Sequence, residues 1–274
     1  MTDADYQTST PSFLRWAGSK RQLVPFLKTF WSDTFLRYVE PFAGSACLFF
    51  AIRPKEAILA DLNSELIQMY RCVRHRPAAV HKIMIAWNTD KSEYLRVRTL
   101  NPNSLGAYER AARFIYLNRF CFNGLHRTNK AGTFNVPYGG GKSGRLPELD
   151  ALRTSAKLLA GTELLATDFR TTLLNIRRGD FVYLDPPYSV KGRRVFKEYG
   201  AGAFETKDLE DLGTELRKID SRGAYFVASY ADCGEAREVF KNWITCRRQT
   251  RRNVAGFHSA RRKQYELVAT NISR

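Results

Sequence analysis

Short apolar runs alternate along this chain with longer amphipathic ones. "YVEPFAGSACLFFAI" (38–52) reads as a short strand, a glycine-containing turn and the start of an apolar helix. "EAILADLNSELIQMYRCV" (56–73) repeats the theme, with a strand that ends in Asp61 and a helix after it. Apolar positions then recur at helical spacing through 77–120, interrupted by Asn-Pro at 101–102. The pattern dissolves into turns in "FNGLHRTNKAGTFNVPYGGGKSGRLP" (122–147), where five glycines fall between 132 and 144. Strand and helix return with "TELLATDF", "FVYLDPPY", a helix over 207–220 and the strand "AYFVASY" (224–230).

Alternating strands and helices predict an α/β fold, a mostly parallel sheet with helices on its faces. The helical and turn-rich middle is expected to be an inserted subdomain over 64–148, leaving 1–63 and 149–274 as the main domain. Three strands end on a carboxylate: Glu40, Asp61 and Asp185. Proline cannot donate to a sheet ladder, so the strand before "DPPY" must stop at Asp185. In open α/β sheets ligands bind at these carboxyl ends.

Charge sharpens the picture. Lys and Arg number 44 against 27 Asp and Glu, a net +17 with a pI near 9.9. Such an excess points to a polyanion, most often nucleic acid. Five scattered cysteines (Cys47, Cys72, Cys121, Cys233, Cys246) without a CxxC pair fit a reducing compartment. The four histidines form no zinc-like cluster, so no metal is expected. Neither a signal-like start nor a membrane-length apolar run is present, which predicts a soluble intracellular chain.

The strand ends carry the candidate chemistry. Gly44 permits close approach of backbone to a ligand, and Asp61 is placed to accept bonds from ribose hydroxyls. In "DPPY", the Asp185 carboxylate and the Pro186 carbonyl are two acceptors in a rigid elbow, suited to the two hydrogens of an exocyclic amine. Tyr188 offers a ring on which a base can stack. An amine conjugated to a base is a poor nucleophile. Acceptors that bind both its hydrogens favour a pyramidal nitrogen whose lone pair points at an electrophile.

Taken together, these motifs resemble the DNA adenine methyltransferase (Dam) family, over nearly the whole chain from Phe13 to about Asn271. "LRWAGSK" (14–20) is similar to the family's N-terminal cofactor segment. "EPFAGSA" is similar to its EPFxGxG-like turn, with Ala46 a departure. "DLN" is similar to its second acidic motif, and "TDF" (167–169) to the segment that holds the cofactor's adenine. The resemblance implies S-adenosylmethionine as cofactor, contacted by Trp16, Lys20, Glu40, Gly44, Asp61, Asp168, Phe169 and Asp185. It implies a Rossmann-like methyltransferase sheet and a mainly helical target-recognition insertion with a β-hairpin. "YLNRFCFNGLHRTNKAGTFNVPYG" (116–139) resembles that hairpin most specifically. By this likeness Phe122, Asn123 and Asn129 meet the DNA, while Leu125, Arg127, Pro137 and Arg15 reach base edges. "RKQYELVATN" (262–271) is similar to the family's last strands; "ASYAD" (228–232) is a looser match.

The resemblance implies methylation of an adenine amine in duplex DNA, with the base flipped into the pocket and held by Asp185, Pro186 and Tyr188. The word it suggests is GATC, the family's commonest target. A monomer acting in the cytoplasm of a bacterium or phage-infected cell is expected. Cytosine-N4 methylation, RNA adenine methylation and a DNA-binding protein without catalysis are the rivals. Families of the first two kinds more often carry SPPY or NPPY.

Overall fold

The computed structural model describes residues 12–129, 132–188, 204–251 and 263–273. Seven strands form one sheet: β1 Arg37–Glu40, β2 Ala57–Asp61, β3 Thr162–Ala166, β4 Asp180–Leu184, β5 Tyr225–Ala231, β6 Ile244–Arg251 and β7 Lys263–Thr270. Their order across the sheet is β3-β2-β1-β4-β5-β7-β6. Pairing is parallel from β3 to β5, and β7 runs antiparallel to both its neighbours. Strand order reverses between β1 and β4, so a crevice opens beyond their carboxyl ends. Glu40 closes β1, and Asp185 follows the last residue of β4.

Helices α1 Val24–Leu27 and α2 Cys47–Ile52 flank β1 in sequence. Five more lie between β2 and β3: α3 Ser64–His75, α4 Pro77–Ile85, α5 Lys91–Thr99, α6 Ala107–Phe120 and α7 Leu149–Leu159. After β3, β4 and β5 come α8 Phe169–Leu173, α9 Thr206–Ser221 and α10 Gly234–Phe240. Local sequence explains several starts. Asn63 caps α3 by accepting from the Leu66 N–H at 3.1 Å, Asp90 caps α5 from the Glu93 N–H at 2.9 Å, and Pro77 opens α4. Caps of this kind contribute about 1 kcal/mol each.

Both sheet faces are covered, as expected. Tyr38, Leu59, Phe181, Tyr183 and Val227 share one core with α3, α4 and α6. The alternate positions Val39, Ile58, Val182, Leu184, Phe226 and Ala228 share the other with α9 and α10. Burial on both sides is why these strands are continuously apolar in sequence. Residues 64–120 therefore complete the sheet's own core on one face, with Leu66, Ile67, Val80 and Ile115 buried among the sheet residues.

Strand β6 has no counterpart among the expected elements. "RRQTRR" reads in sequence as a solvated or phosphate-facing basic run, but Arg247–Arg251 belong to an edge strand. The Arg247 Nε lies 2.6 Å from Asp232, with its guanidinium 4.3 Å from the Tyr265 ring centre. Arg248 covers the Phe26 ring at 4.0 Å. A strand rich in arginine lacks apolar alternation, and such charge on an edge discourages pairing with other chains. Arg252 and residues 260–262 lie outside the described residues.

The expected hairpin forms without regular strands. Isolated antiparallel bridges join Cys121 to Tyr138 and Thr128 to Phe134. Its far limb is tied to the helices, since Tyr94 Oη and Arg98 Nη1 both donate to the Val136 carbonyl, at 2.9 and 3.1 Å. Lys130 and Ala131, at the tip, are outside the described residues.

Candidate active site

The segment before α1 is laced to the crevice by its own turn chemistry. The Ser19 N–H returns to the Trp16 carbonyl at 3.0 Å, with Gly18 at φ +82°, a left-handed conformation that favours glycine. This turn delivers Lys20 into the interior, where it is 5% exposed. Its Nζ lies 2.7 Å from Asp185 Oδ1, 3.0 Å from the Gly18 carbonyl and 3.9 Å from Glu266 Oε2. It also sits 4.9 Å from the Tyr188 ring centre. Burial works to lower the Lys20 pKa, but Asp185, Tyr188 and Glu266 outweigh it and hold it well above its ordinary value.

The elbow after β4 is organised from β5. Ser229 Oγ, fully buried, donates to Asp185 Oδ1 at 3.1 Å and is itself 3.3 Å from the Tyr183 hydroxyl. Next to it in sequence, the Tyr230 ring lies 4.8 Å from that of Tyr188, at 60°. Thus "ASYAD", a loose match in sequence, serves three purposes here. Ser229 orients the carboxylate, Tyr230 backs the Tyr188 ring, and Asp232 holds Arg237 and Arg247 at 2.7 and 2.6 Å.

Asp61 and Glu40 are the other acidic strand ends. Asp61 accepts from the Gly44 N–H on one oxygen at 3.0 Å and the Asn63 N–H on the other at 2.9 Å. Burial raises its pKa, and these two amide bonds oppose the rise. Glu40 is buried and accepts the Tyr38 hydroxyl at 2.9 Å. Burial pushes its carboxyl well up; the Tyr38 bond works against that, and the nearby Asp185 and Asp61 charges add to it.

Gly44, at φ +46°, lies against Trp16: a Cβ added there would come within 2.9 Å of the indole. Ala46 also adopts a left-handed conformation, at φ +48°. The family pattern resembled in sequence has glycine at this position, and alanine accepts the strain while staying buried. Trp16 in turn stacks on Phe114 and His126, centres 6.3 and 5.9 Å apart.

Asp168 and Phe169 stand at the end of β3. Asp168 caps α8 by accepting from the Arg170 N–H at 2.8 Å, and Arg170 ties it to Asp208 and Asp211 of α9. Phe169 packs on Phe42 at 5.2 Å. Trp16, Lys20, Gly44, Asp61 and the "DPPY" elbow thus share one neighbourhood through direct contacts, and Glu40 lies near enough to feel the Asp185 and Asp61 charges. Asp168 and Phe169 join it through β3, whose end pairs Ala166 with Asp61.

Arg15 and the hairpin residues form the neighbouring wall. The Arg15 backbone is held by Asn118, whose Oδ1 accepts the Arg15 N–H at 2.8 Å and whose amide donates to the Arg15 carbonyl. Gly124 is required at φ +65°, because a Cβ would fall 2.7 Å from that carbonyl. Arg127 is buttressed by Asn135, with its Nε donating to Oδ1 at 2.8 Å. The Asn129 carboxamide accepts the Thr133 N–H at 2.9 Å, closing the turn. Phe122 donates its N–H to the Pro137 carbonyl at 2.9 Å, and Asn123 takes a left-handed φ of 54°. Leu125 is half-buried and Pro137 exposed.

His126 and Asn63 carry no role that the sequence alone indicates. Burial, with Arg113 adding to it, lowers the His126 pKa from 6.5 to about 4. A base whose folded pKa is depressed is stabilising when neutral. Its contribution is therefore full above about pH 6.5 and is lost as pH falls to about 4. The difference amounts to about 3 kcal/mol. Wild-type stability should fall relative to His126→Phe by about that much between pH 7 and pH 4 in urea unfolding. A pH-independent difference between the two would show that His126 titrates alike in folded and unfolded chains. Glu65 and Arg113, which line the same small void, are present in both proteins.

A doubly flanked sheet that reverses beside the Asp185 elbow, with a second acidic strand end and a glycine turn nearby, is the architecture of a Rossmann-like methyltransferase. The model of the D12 class N6 adenine-specific DNA methyltransferases matches residues 16–254, and the chain belongs to that family. It is similar to the Type II methyltransferase M1.LlaDCHI of Lactococcus lactis subsp. cremoris, 30% identical over 94% of each chain. It is also similar to a DNA adenine methylase of Vibrio cholerae, 32% identical over 94% of this chain and 95% of the relative. A Retron Ec67 DNA adenine methylase of Escherichia coli is 29% identical over 96% and 92%. The chain is thus an adenine-specific DNA methyltransferase, and DNA is its substrate. Methyltransferases in general draw their methyl group from S-adenosylmethionine. Among the described residues, no helix is long and apolar enough to cross a membrane.

Proposed function

We propose that this enzyme transfers a methyl group from S-adenosylmethionine to the N6 amine of an adenine flipped out of duplex DNA, in the word GATC. The observation that carries the chemistry is the Asp185 elbow at the sheet's reversal, with its carboxylate fixed by Lys20 and Ser229. The donor set fits the cofactor. Asp61, Asp185 and the buried carboxyl of Glu40 stand at the carboxyl ends of neighbouring strands, matching ribose hydroxyls and a cationic sulfonium. When bound, S-adenosylmethionine supplies a methyl on sulfur and leaves as S-adenosylhomocysteine.

The chain's own residues do the rest. Asp185 and the Pro186 carbonyl accept the two amine hydrogens, aligning the nitrogen lone pair. Tyr188, backed by Tyr230, stacks on the base. Asp185 is placed to take the proton that the methylated amine must lose. Trp16, Gly44 and Asp61 hold the cofactor from one side, and Asp168 and Phe169 hold its adenine. Residues 64–148 act as the recognition unit, with 1–63 and 149–274 carrying catalysis in a monomeric cytoplasmic enzyme.

The word rests on the family likeness and on two arginines. An arginine paired with the two major-groove acceptors of guanine discriminates by about 1–3 kcal/mol. GATC has one guanine per strand, and Arg15 and Arg127 supply two such donors. Asn135 stiffens Arg127 for the purpose. Leu125 and Pro137 offer apolar contacts to thymine methyls.

Methyl transfer to unmethylated DNA, followed by nucleoside analysis and long-read mapping in a methylation-free host, tests this reading. N6-methyladenine within GATC is expected; N4-methylcytosine would move the enzyme to the other amine, and another adenine word would remove GATC alone. Arg127→Ala should relax the choice at one guanine by roughly 5- to 150-fold, equivalent to that 1–3 kcal/mol, while cofactor affinity is unchanged. Equal loss on cognate and near-cognate sites would make Arg127 a phosphate clamp.

A further inference from the structure

His126 closes a ring of contacts between the cofactor motifs and the hairpin, and we propose that it couples cofactor occupancy to recognition of the target word. This inference rests on the reading that Trp16 and Asp61 hold S-adenosylmethionine and that Leu125 and Arg127 face DNA. His126 touches neither ligand in that reading; it is a positioning residue.

The ring can be followed atom by atom. Asp61 Oδ1 accepts the Asn63 N–H at 2.9 Å. Asn63 Oδ1 is committed to capping α3, so its amide nitrogen is the atom that meets His126 Nδ1, at 3.4 Å. Nδ1 must then accept, which places the imidazole proton on Nε2 and agrees with a neutral ring. The imidazole stacks on Trp16 at 5.9 Å and 21°. Trp16 lies against Gly44, whose N–H donates to Asp61 Oδ2 at 3.0 Å and completes the ring.

His126 is also a link in the reading hairpin, bonded in sequence to Leu125 and Arg127. Its other neighbours leave it little room. Phe114 and Phe134 lie 5.4 and 5.7 Å away between ring centres. The void beside it, also lined by Glu65, Arg113 and Asn118, measures about 10 Å³. That is room for one water at most. Close-packed rings transmit a displacement instead of absorbing it. A ligand that fixes Trp16 and Asp61 therefore fixes His126, and with it the residues on either side. Asn118 adds Arg15 to the same unit, because it binds both backbone groups of the residue preceding Trp16.

Of the two contacts that His126 makes with the cofactor motifs, the stack is the stronger candidate for the link. The bond to Asn63 is long, near the limit for a hydrogen bond. A phenylalanine at 126 keeps the stack and loses the bond, an asparagine keeps an acceptor and loses the stack, and an alanine loses both.

Calorimetry with S-adenosylhomocysteine, with and without a duplex carrying the mapped methylation word, measures the coupling directly. In the native enzyme the cognate duplex should tighten S-adenosylhomocysteine at least about five-fold, and S-adenosylhomocysteine should tighten the duplex by the same factor. A scrambled duplex should do neither. His126→Ala and His126→Asn should bring the factor below about two, with each ligand's separate affinity within about three-fold of native. His126→Phe should restore it. A native factor of one, a native-like factor in His126→Ala, or failure of His126→Phe to rescue overturns the proposal. So does a fall in both separate affinities with the coupling intact, which marks a merely structural residue. Asp61→Ala is the control for the underlying reading: if it binds S-adenosylhomocysteine as tightly as native, the cofactor-site assignment has failed, whatever His126 does.

Discussion

Asp185→Asn will fold and bind DNA but lose methyl transfer by at least about 10²–10³-fold, whereas Asp185→Ala will lose activity and stability together. The catalytic loss is common to both, because neither side chain offers a carboxylate to accept the amine's hydrogen and later its proton. The stability loss separates them. Lys20 is 5% exposed and its ammonium lies 2.7 Å from Asp185. Removing one member of a buried pair costs about 3–5 kcal/mol, since the remaining charge is stranded. The lower end applies here, because Asp185 keeps 17% exposure and Glu266 stands 3.9 Å from the ammonium. About 3 kcal/mol corresponds to a melting temperature lower by roughly 6–12 °C in a chain of this size. Asparagine keeps an oxygen for Lys20 and for the Ser229 hydroxyl but lacks the charge that offsets the buried ammonium, so its melting temperature should fall between those of alanine and native. Affinity for duplex DNA should change by no more than a few-fold in Asp185→Asn, as phosphate contacts supply most of it. Turnover by Asp185→Asn at a tenth of the native rate or more would remove Asp185 from the chemistry.

Much of this site is legible in the sequence, because the features that encode it are local. A proline pair ends a strand wherever it occurs, so Asp185 had to stand at a carboxyl edge. The apolar runs before Glu40, Asp61 and Asp185 mark strands buried on both faces, and they pair in parallel. Gly44 announces a close approach, expected to a ligand and found to Trp16, whereas that of Gly124 to the Arg15 carbonyl carries no such signal. What escapes the sequence depends on contacts between distant segments. Ser229 is one residue in an apolar strand; nothing local says that it faces Asp185, 44 positions earlier. Lys20 reads as a cofactor contact, and its pairing with Asp185 appears only when the N-terminal turn meets β4. His126 carries no signal of its own in the sequence, and its place appears only when Trp16 comes to lie over it. Asn118 and Asn135 stand inside quoted motifs, but their partners, Arg15 and Arg127, could not be assigned from spacing. Strand β6 is the plainest loss: its arginines mask a ladder that β7 defines from the far end of the chain.

The second large effect is expected at Asp61, and its size depends on what the carboxylate already does. Both oxygens accept a backbone N–H, from Gly44 at 3.0 Å and Asn63 at 2.9 Å. Each oxygen has a second lone pair, so ribose hydroxyls can be accepted without displacing either amide. Those amide bonds hold the carboxylate in place before any ligand arrives, which lowers the ordering cost of binding. Losing charge-assisted bonds costs about 1.5–3 kcal/mol, so Asp61→Ala should weaken S-adenosylmethionine about ten- to a hundred-fold in calorimetry. The same substitution leaves the Gly44 and Asn63 amides without their acceptor. Asn63 then loses part of its hold on His126, and the hairpin should loosen. Asp61→Asn separates the two consequences. Its single amide oxygen can satisfy one backbone N–H, so it should retain more stability than alanine while still losing cofactor affinity. Equal cofactor affinity in native, Asp61→Asn and Asp61→Ala would place the ribose elsewhere. Equal affinity loss with equal stability loss in both variants would make Asp61 a turn-former that supports the site without touching the ligand.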